Sequence, residues 1–141
     1  LRDSGGAPQR VMMSTSTDNG DTWSVARDTD IPNPSSSLEV VALKDGRWVM
    51  VYNDTEDGRH SFAVSMSDDE GKTWKWTRHL ERAEPGKGSF AYPSMIQSAD
   101  GNIHITYTHN VEEHKSIKHV SFPPDWKKGK ETRIKKQETK K

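Results

Sequence analysis

The chain has 141 residues, only 30% of them hydrophobic, and its mean hydropathy of −0.99 is low for a chain that must bury a core of its own. Its longest apolar stretches, Val40–Leu43 and Trp48–Tyr52, are strand-sized and far short of the roughly 18 residues a membrane helix needs, so no membrane span is expected. Zero cysteines exclude a disulfide framework, thiolate metal ligands and a Cys nucleophile, and they leave the compartment open.

The formal charge is zero only in sum. From Lys127 onward there are eight Lys/Arg against Glu131 and Glu138, whereas residues 1–126 carry 13 basic and 19 acidic side chains. This divides the chain into an acidic body, 1–126, and a basic tail, 127–141. The tail has no aromatic after Trp126 and no helical apolar face, so it is read as flexible and solvated rather than as a nucleic-acid contact. The sequence opens on Leu1 without a charged-then-apolar leader. It is therefore expected to begin inside a longer or processed protein, with any targeting signal upstream.

In chain order, Arg10–Thr15 and Ser24–Asp28 are expected as strands on either side of a turn. Ser36–Leu43 and Arg47–Asn53 then form a hairpin about Asp45-Gly46. Ser61–Met66 leads into a second long turn and Lys75–Leu80 leaves it. Tyr92–Gln97 follows, with Pro93 near its start where a missing N–H is tolerated; the chain turns at Asp100-Gly101 and returns as Asn102–Thr108. Ser116–Phe122 supplies a third strand to this last unit, and no fourth is evident. Ile103, Ile105 and Tyr107 alternate with His104, Thr106 and Thr108, as a half-buried strand requires. Helical periodicity is absent, so the fold is all-β.

The strongest signal is a repeat. Ser16-Thr17-Asp18-Asn19-Gly20-Asp21-Thr22-Trp23 and Ser67-Asp68-Asp69-Glu70-Gly71-Lys72-Thr73-Trp74 share the pattern S-x-D-x-G-x-T-W, 51 residues apart. The turns at Lys44-Asp45-Gly46 and Ala99-Asp100-Gly101 repeat at an offset of 55. Both periods suit one four-stranded propeller blade of about 40 to 50 residues. Val40–Leu43 and Trp48–Tyr52 are apolar on both faces, as strands covered by neighbouring blades must be. About two and a half blades are expected, which cannot close a ring. Alone, such a chain is expected to be unstable or to associate.

Within each repeat the residues have local tasks. Asp18 and Asp69 can accept N–H groups of the turn, Gly20 and Gly71 permit positive φ, and Trp23 and Trp74 are expected to cover adjoining blade surface. A Ca²⁺ loop is rejected because the turn is too short for a twelve-residue ligand run and ends in Thr-Trp where a bidentate Glu is wanted. His104, His109, His114 and His119 recur every five residues, but an odd spacing along a strand sends His104 and His109 to opposite faces. No metal site is expected, and there is no glycine-rich phosphate loop and no G-x-S-x-G.

The two S-x-D-x-G-x-T-W copies resemble the Asp-box (BNR-repeat) sialidase superfamily, which builds six-bladed β-propellers. Further resemblance lies in Leu1-Arg2, Asn33-Pro34, Leu43–Arg47, Val51-Tyr52-Asn53, Gly58-Arg59, Ala91-Tyr92-Pro93-Ser94, Asp100-Gly101 and Ile117–Val120. It extends from residue 1 to about 124 and implies the C-terminal portion of a propeller, its remaining blades upstream and its ring closed by the N-terminal segment. Sialidases bind a substrate carboxylate with three arginines, use a Tyr nucleophile paired with a Glu, and use an Asp as acid/base. By motif, Arg2 and Arg59 resemble two of the arginines and Tyr92 the nucleophile. The partner Glu, the first arginine and the acid Asp would precede Leu1.

The chemistry has a physical rationale. Guanidinium forks match a carboxylate bidentately and stay charged. A phenol avoids the repulsion a carboxylate nucleophile would meet on an anionic sugar, although its ordinary pKa near 10 calls for activation. Glu39, a carboxylate in an otherwise apolar strand, is expected to line the substrate site. In two places the sequence departs from better-known sialidases: Pro93 separates Tyr92 from Ser94, and Tyr107-Thr108 stands where Tyr-Glu is usual. The resemblance implies an exo-glycosidase of sialidase type that releases terminal sialic acid or a related acidic sugar from glycoconjugates, needs no cofactor and is inactive as this fragment. The alternative is a non-catalytic Asp-box propeller that binds glycan or protein.

Overall fold

A computed structural model of the chain describes residues 1–126 and the backbone of 135–138. Strands β1 (Arg10–Met13) and β2 (Arg27–Pro32) form a small antiparallel sheet. A four-stranded antiparallel meander follows, from β3 (Glu39–Ala42) through β4 (Trp48–Tyr52) and β5 (Ser61–Ser67) to β6 (Lys75–Arg82). The third sheet repeats it with β7 (Gly88–Gln97), β8 (Ile103–Val111), β9 (His114–Phe122) and β10 (Lys135–Glu138). The described residues contain no α-helix.

The two meanders start from the same turn chemistry. At β3–β4, Gly46 takes φ 87° and donates its N–H to the Leu43 carbonyl at 2.9 Å, while the Asp45 carboxylate accepts from the Arg47 N–H at 3.0 Å. At β7–β8, Gly101 takes φ 89° and donates to the Ser98 carbonyl at 3.0 Å, while Asp100 accepts from the Asn102 N–H at 3.1 Å. An Asp before a Gly thus closes each hairpin by the same bonds, with Gly supplying the left-handed φ.

The two large sheets face each other through one apolar core. Val49, Val51, Phe62, Val64 and Met66 from the first meet Phe90, Met95, Ile103, Ile105, Tyr107, Val120 and Phe122 from the second. Each such side chain withdrawn from water contributes about 1.5–3 kcal/mol before chain entropy is set against it. The opposite face of β4 and β5 presents Met50, Tyr52 and Ala63 to Ile31, Leu38 and Trp74. Covered on both sides, β5 is buried at every residue: Phe62, Val64 and Met66 enter the main core, and on its other face the buried Ser65 hydroxyl bonds to Tyr52 at 3.0 Å and to Thr77 at 2.7 Å. A polar seam crosses the main core: Glu81 accepts from the Tyr107 hydroxyl at 2.7 Å and from the Lys118 ammonium. Burial first, then the bond to Glu81, pushes the Tyr107 phenol far above its ordinary value.

The two Asp-boxes share one internal wiring. In the first, Ser16 Oγ donates to Asp18 at 2.7 Å and accepts the Gly20 N–H at 2.8 Å, while Asp18 accepts the Thr22 N–H at 2.9 Å. In the second, Ser67 Oγ donates to Asp69 at 2.7 Å and accepts the Gly71 N–H at 2.8 Å, while Asp69 accepts the Thr73 N–H at 2.8 Å. Gly20 and Gly71 have φ of 97° and 78°. The carboxylates therefore act as turn acceptors and the glycines as left-handed positions, as the motif predicts.

Four expectations need correction. The strand after the first box runs over Arg27–Pro32 rather than Ser24–Asp28, because Ser24 is engaged in closing the turn: its N–H donates to the Thr15 carbonyl at 2.8 Å and its Oγ accepts the Thr15 N–H at 3.0 Å. Tyr92 does not begin its strand; β7 starts at Gly88. Trp23 is 64% exposed and donates its indole N–H to the Gly20 carbonyl at 3.0 Å; among the described residues, the two-stranded β1–β2 sheet that carries it has no strand equivalent to β4, on whose Met50 and Tyr52 Trp74 rests. Finally, β10 pairs antiparallel with β9, Lys135 opposite Ser121 and Glu138 opposite Lys118. The last sheet thus has a fourth strand, drawn from the segment read as a tail. Hydropathy could not reveal it, since an outer strand joins through main-chain groups alone. The rest of 127–141, and with it the reading of that tail as flexible, lies outside the described residues.

Candidate functional site

Gly58 at φ 73°, whose carbonyl accepts from Thr55 Oγ1 at 2.8 Å, turns the loop between β4 and β5 so that Arg59 follows it toward β7. An ion pair from Arg10 on β1 to Glu56 ties the same loop to the first sheet. On the other side, β7 carries a bulge between Ala91 and Ser94. Tyr92 sits in that bulge with φ 54°, a left-handed conformation uncommon for an aromatic residue. Pro93, which donates no N–H to the ladder, is accommodated there. The bulge re-aims the Tyr92 side chain away from the ladder, leaving it 59% exposed.

The guanidinium carbon of Arg59 lies 5.2 Å from the centroid of the Tyr92 ring, within cation–π range. Hydrogen bonding from Arg59, then its charge, pulls the Tyr92 phenol below its ordinary value against a smaller opposing desolvation, and the charge of Arg2 adds to the effect. Arg2 is carried there by β1: it forms an isolated antiparallel bridge with Val11, and the Leu1 carbonyl accepts the Met12 N–H at 2.9 Å. The other two tyrosines behave oppositely. Burial raises both Tyr52 and Tyr107. Arg59 is thus set against Tyr92, and the charge of Arg2, brought in from the N-terminal segment, adds the smallest of the effects on the same phenol. Such a setting favours the phenolate form of Tyr92.

Glu39, expected to line the substrate site, is half-buried on β3. Its Oε2 accepts the Met95 N–H at 2.9 Å, so this oxygen links β3 to β7. Sequence reasoning missed Asn53. This side chain is fully buried and donates to the Ser61 carbonyl at 2.8 Å and the Phe90 carbonyl at 2.9 Å. The available signal was an amide ending a two-faced apolar strand, where a buried polar group must find partners.

His104 and His109 do lie on opposite faces: His109 packs on Phe90 with centroids 5.2 Å apart, while His104 meets His119 across the β8–β9 hairpin. Their Nδ1 and Nε2 are 3.0 Å apart, with ring planes 7° from parallel and centroids 5.2 Å apart. A centroid separation that long for so short an N–N distance requires the nitrogens to lie on the line between the rings. The contact is therefore an edge-to-edge N–H···N bond. Among the described residues no three His, Asp or Glu side chains converge as metal ligands.

Two open clefts flank these features. One, of about 590 Å³, is lined by Thr55, His60, Ser61, Arg82, Ala83 and Glu84. The other, of about 400 Å³, lies over the His104–His119 pair. The Arg59–Tyr92 pair lies outside both linings, on open surface.

Over residues 1–105 the chain matches the BNR repeat-like domain. It belongs to the BNR repeat-like family. That match spans both Asp-boxes and Arg2, Glu39, Asn53, Arg59 and Tyr92, and it ends within β8. No curated protein matches the chain closely enough to stand as a named relative. The BNR repeat-like assignment fixes what the Asp-boxes are; the chemistry has to be argued from the side chains themselves.

Proposed function

We propose that the chain is the C-terminal part of a six-bladed β-propeller whose Arg2, Arg59 and Tyr92 belong to the active site of a sialidase-like exo-glycosidase. The propeller reading is supported by two successive four-stranded meanders, each opening on an Asp-Gly hairpin, packed with the first strand of one beside the first strand of the other. The catalytic reading is carried by one observation: an exposed tyrosine held in left-handed backbone at a bulge, with the Arg59 guanidinium 5.2 Å from its ring.

In this reading Arg59 and Arg2 bind the carboxylate of an acidic sugar, and their charge lowers the cost of forming the Tyr92 phenolate. The Tyr92 hydroxyl gives its proton to a carboxylate base, and its oxygen then bonds to the anomeric carbon. The glycosidic C–O bond breaks, and the departing oxygen takes a proton from a carboxylic acid. Water then hydrolyses the glycosyl–tyrosine bond, returning both groups to their starting states. The base, the acid and a further arginine would lie in preceding blades, which are the partners this chain requires.

The test is release of a fluorophore from a sialoside by the protein with all its blades, comparing Tyr92→Phe. Loss of turnover by about 10²-fold or more is expected for a nucleophile; equal rates remove Tyr92 from the mechanism. The second reading, a glycan-binding propeller without turnover, is favoured by the fact that the groups acting on Tyr92 are cationic and that Glu39 is engaged with Met95. Retention of an acidic glycan with no product released establishes it over hydrolysis.

A further inference from the structure

β7 is bonded to β8 along one edge. Its other edge is bonded to the preceding sheet on both sides of the Tyr92 bulge. The Phe90 N–H donates to the Arg59 carbonyl at 2.8 Å, the Phe90 carbonyl accepts Asn53 Nδ2 at 2.9 Å, and beyond the bulge the Met95 N–H donates to Glu39 Oε2 at 2.9 Å. Asn53 is the junction. Its second bond runs to the Ser61 carbonyl at 2.8 Å, two residues after Arg59, while Phe90 lies two residues before Tyr92.

The amide orientation is dictated by its neighbours. Turned over, Asn53 would set Oδ1 against two carbonyl oxygens, which repel it, so Nδ2 must face them. Oδ1 is buried without a hydrogen-bond partner, so the position is built around the two donors. A bulge holding an aromatic residue at positive φ persists only where the surroundings impose it. The bonds at Phe90 and Met95 supply that restraint.

We infer that Asn53, with Glu39 as a second tie, is a positioning residue that fixes the Tyr92 bulge against the Arg59 loop and so sets guanidinium over phenol. The inference rests on the reading of Arg59 and Tyr92 as the reactive pair, but its physical content is the geometry of that pair. It can be tested without turnover.

The readout is ultraviolet titration of tyrosine in the full 141-residue chain, with the Tyr92 ionisation assigned by difference against Tyr92→Phe. Tyr92 is expected to ionise first, since burial raises Tyr52 and Tyr107. Arg59→Gln defines where Tyr92 titrates without its partner. Asn53→Asp, nearly isosteric but without the two donors, is expected to move Tyr92 up to that Arg59→Gln position, with circular dichroism showing the sheets intact. A folded Asn53→Asp in which Tyr92 titrates as in the parent chain overturns the inference. Should Asn53→Asp not fold, the Glu39 pair decides: Glu39→Ala is expected to shift Tyr92 upward, and Glu39→Gln, whose amide oxygen still accepts the Met95 N–H, to restore it. Identical titration in Glu39→Ala, Glu39→Gln and the parent overturns it as well. In the protein with all its blades, Asn53→Asp is expected to lower kcat by about 10–100-fold with KM little changed. Absence of turnover in the parent protein would defeat the hydrolase reading and leave the titration result standing.

Discussion

The two Asp-boxes have the same sequence pattern and nearly the same internal bonds, yet they sit in different surroundings. In the second, Trp74 packs beside Met50, Tyr52 and Ala63, and Gly71 lies so close to Trp48 that an added Cβ would meet its ring at 3.0 Å. In the first, Trp23 is 64% exposed, and a Cβ on Gly20 would find only its own Trp23 at 3.7 Å. The motif encodes the turn, and what its Trp rests on depends on the strands beside it: β4 and β5 lie under Trp74, while among the described residues the two-stranded β1–β2 sheet offers Trp23 no equivalent. Packing comes from the sheet on which the turn is mounted, and so does any functional consequence.

The sharpest way to break this comparison is to remove each tryptophan. Trp74→Ala is expected to cost about 2–3 kcal/mol, below the full range for a buried aromatic because Trp74 is only partly buried. Trp23→Ala is expected to cost under about 0.5 kcal/mol, as for an exposed side chain. Urea midpoints of the two variants measure the difference. Equal costs would mean that the first box also rests on a surface that hides Trp23.

The glycines give a smaller contrast. Ala at either position must adopt a positive φ, which costs about 1–2 kcal/mol. Gly71→Ala must in addition displace the Trp48 ring. Gly71→Ala is expected to destabilise by about 1 kcal/mol more than Gly20→Ala, again read from urea midpoints. If the two variants unfold together, the crowding at Trp48 relaxes without cost.

This contrast also explains what the sequence could and could not reveal. Turn chemistry is local, so Asp45-Gly46, Asp100-Gly101 and both boxes were legible from residue types alone. Trp48–Tyr52 was legible as a two-faced strand because it leaves no polar side, whereas the same reading of Val40–Leu43 fails on one face, where Val40 and Ala42 are exposed. Arg59 and Tyr92 could be named only through the resemblance of their motifs to the sialidases, supported by their place in the repeat, and their approach depends on a bulge that no hydrophobic period announces. Asn53 and the Glu39–Met95 bond were hidden for a related reason: they satisfy an inner strand edge through single side chains. β10 was hidden because four residues paired through their backbone need no apolar alternation.

The smallest difference between the boxes is electrostatic. The Thr22 hydroxyl and N–H, with Ser16, draw Asp18 down to about 2, and the Thr73 hydroxyl and N–H, with Ser67, hold Asp69 well below the ordinary carboxylate range. Asp69 has an additional neighbour in Lys75, which itself pairs with Asp68 at 2.7 Å. Both carboxyls are lowered on folding, so their contribution is fully present above the unfolded value near 4. It is lost as pH falls through the folded values, which for Asp18 means about 2. Stability is therefore expected to decline progressively below about pH 4. Carboxyl carbon shifts followed by NMR should show both protonating well below the ordinary carboxylate range. Lys75→Gln should raise Asp69 a little, its charge being the smallest of the causes acting there, and leave Asp18 where it is, and 0.5 M salt should act in the same direction by screening the exposed charge. If Lys75→Gln leaves Asp69 unmoved, the hydroxyl and amide donors of the turn account for the whole shift, and the two boxes are electrostatically as alike as they are in sequence.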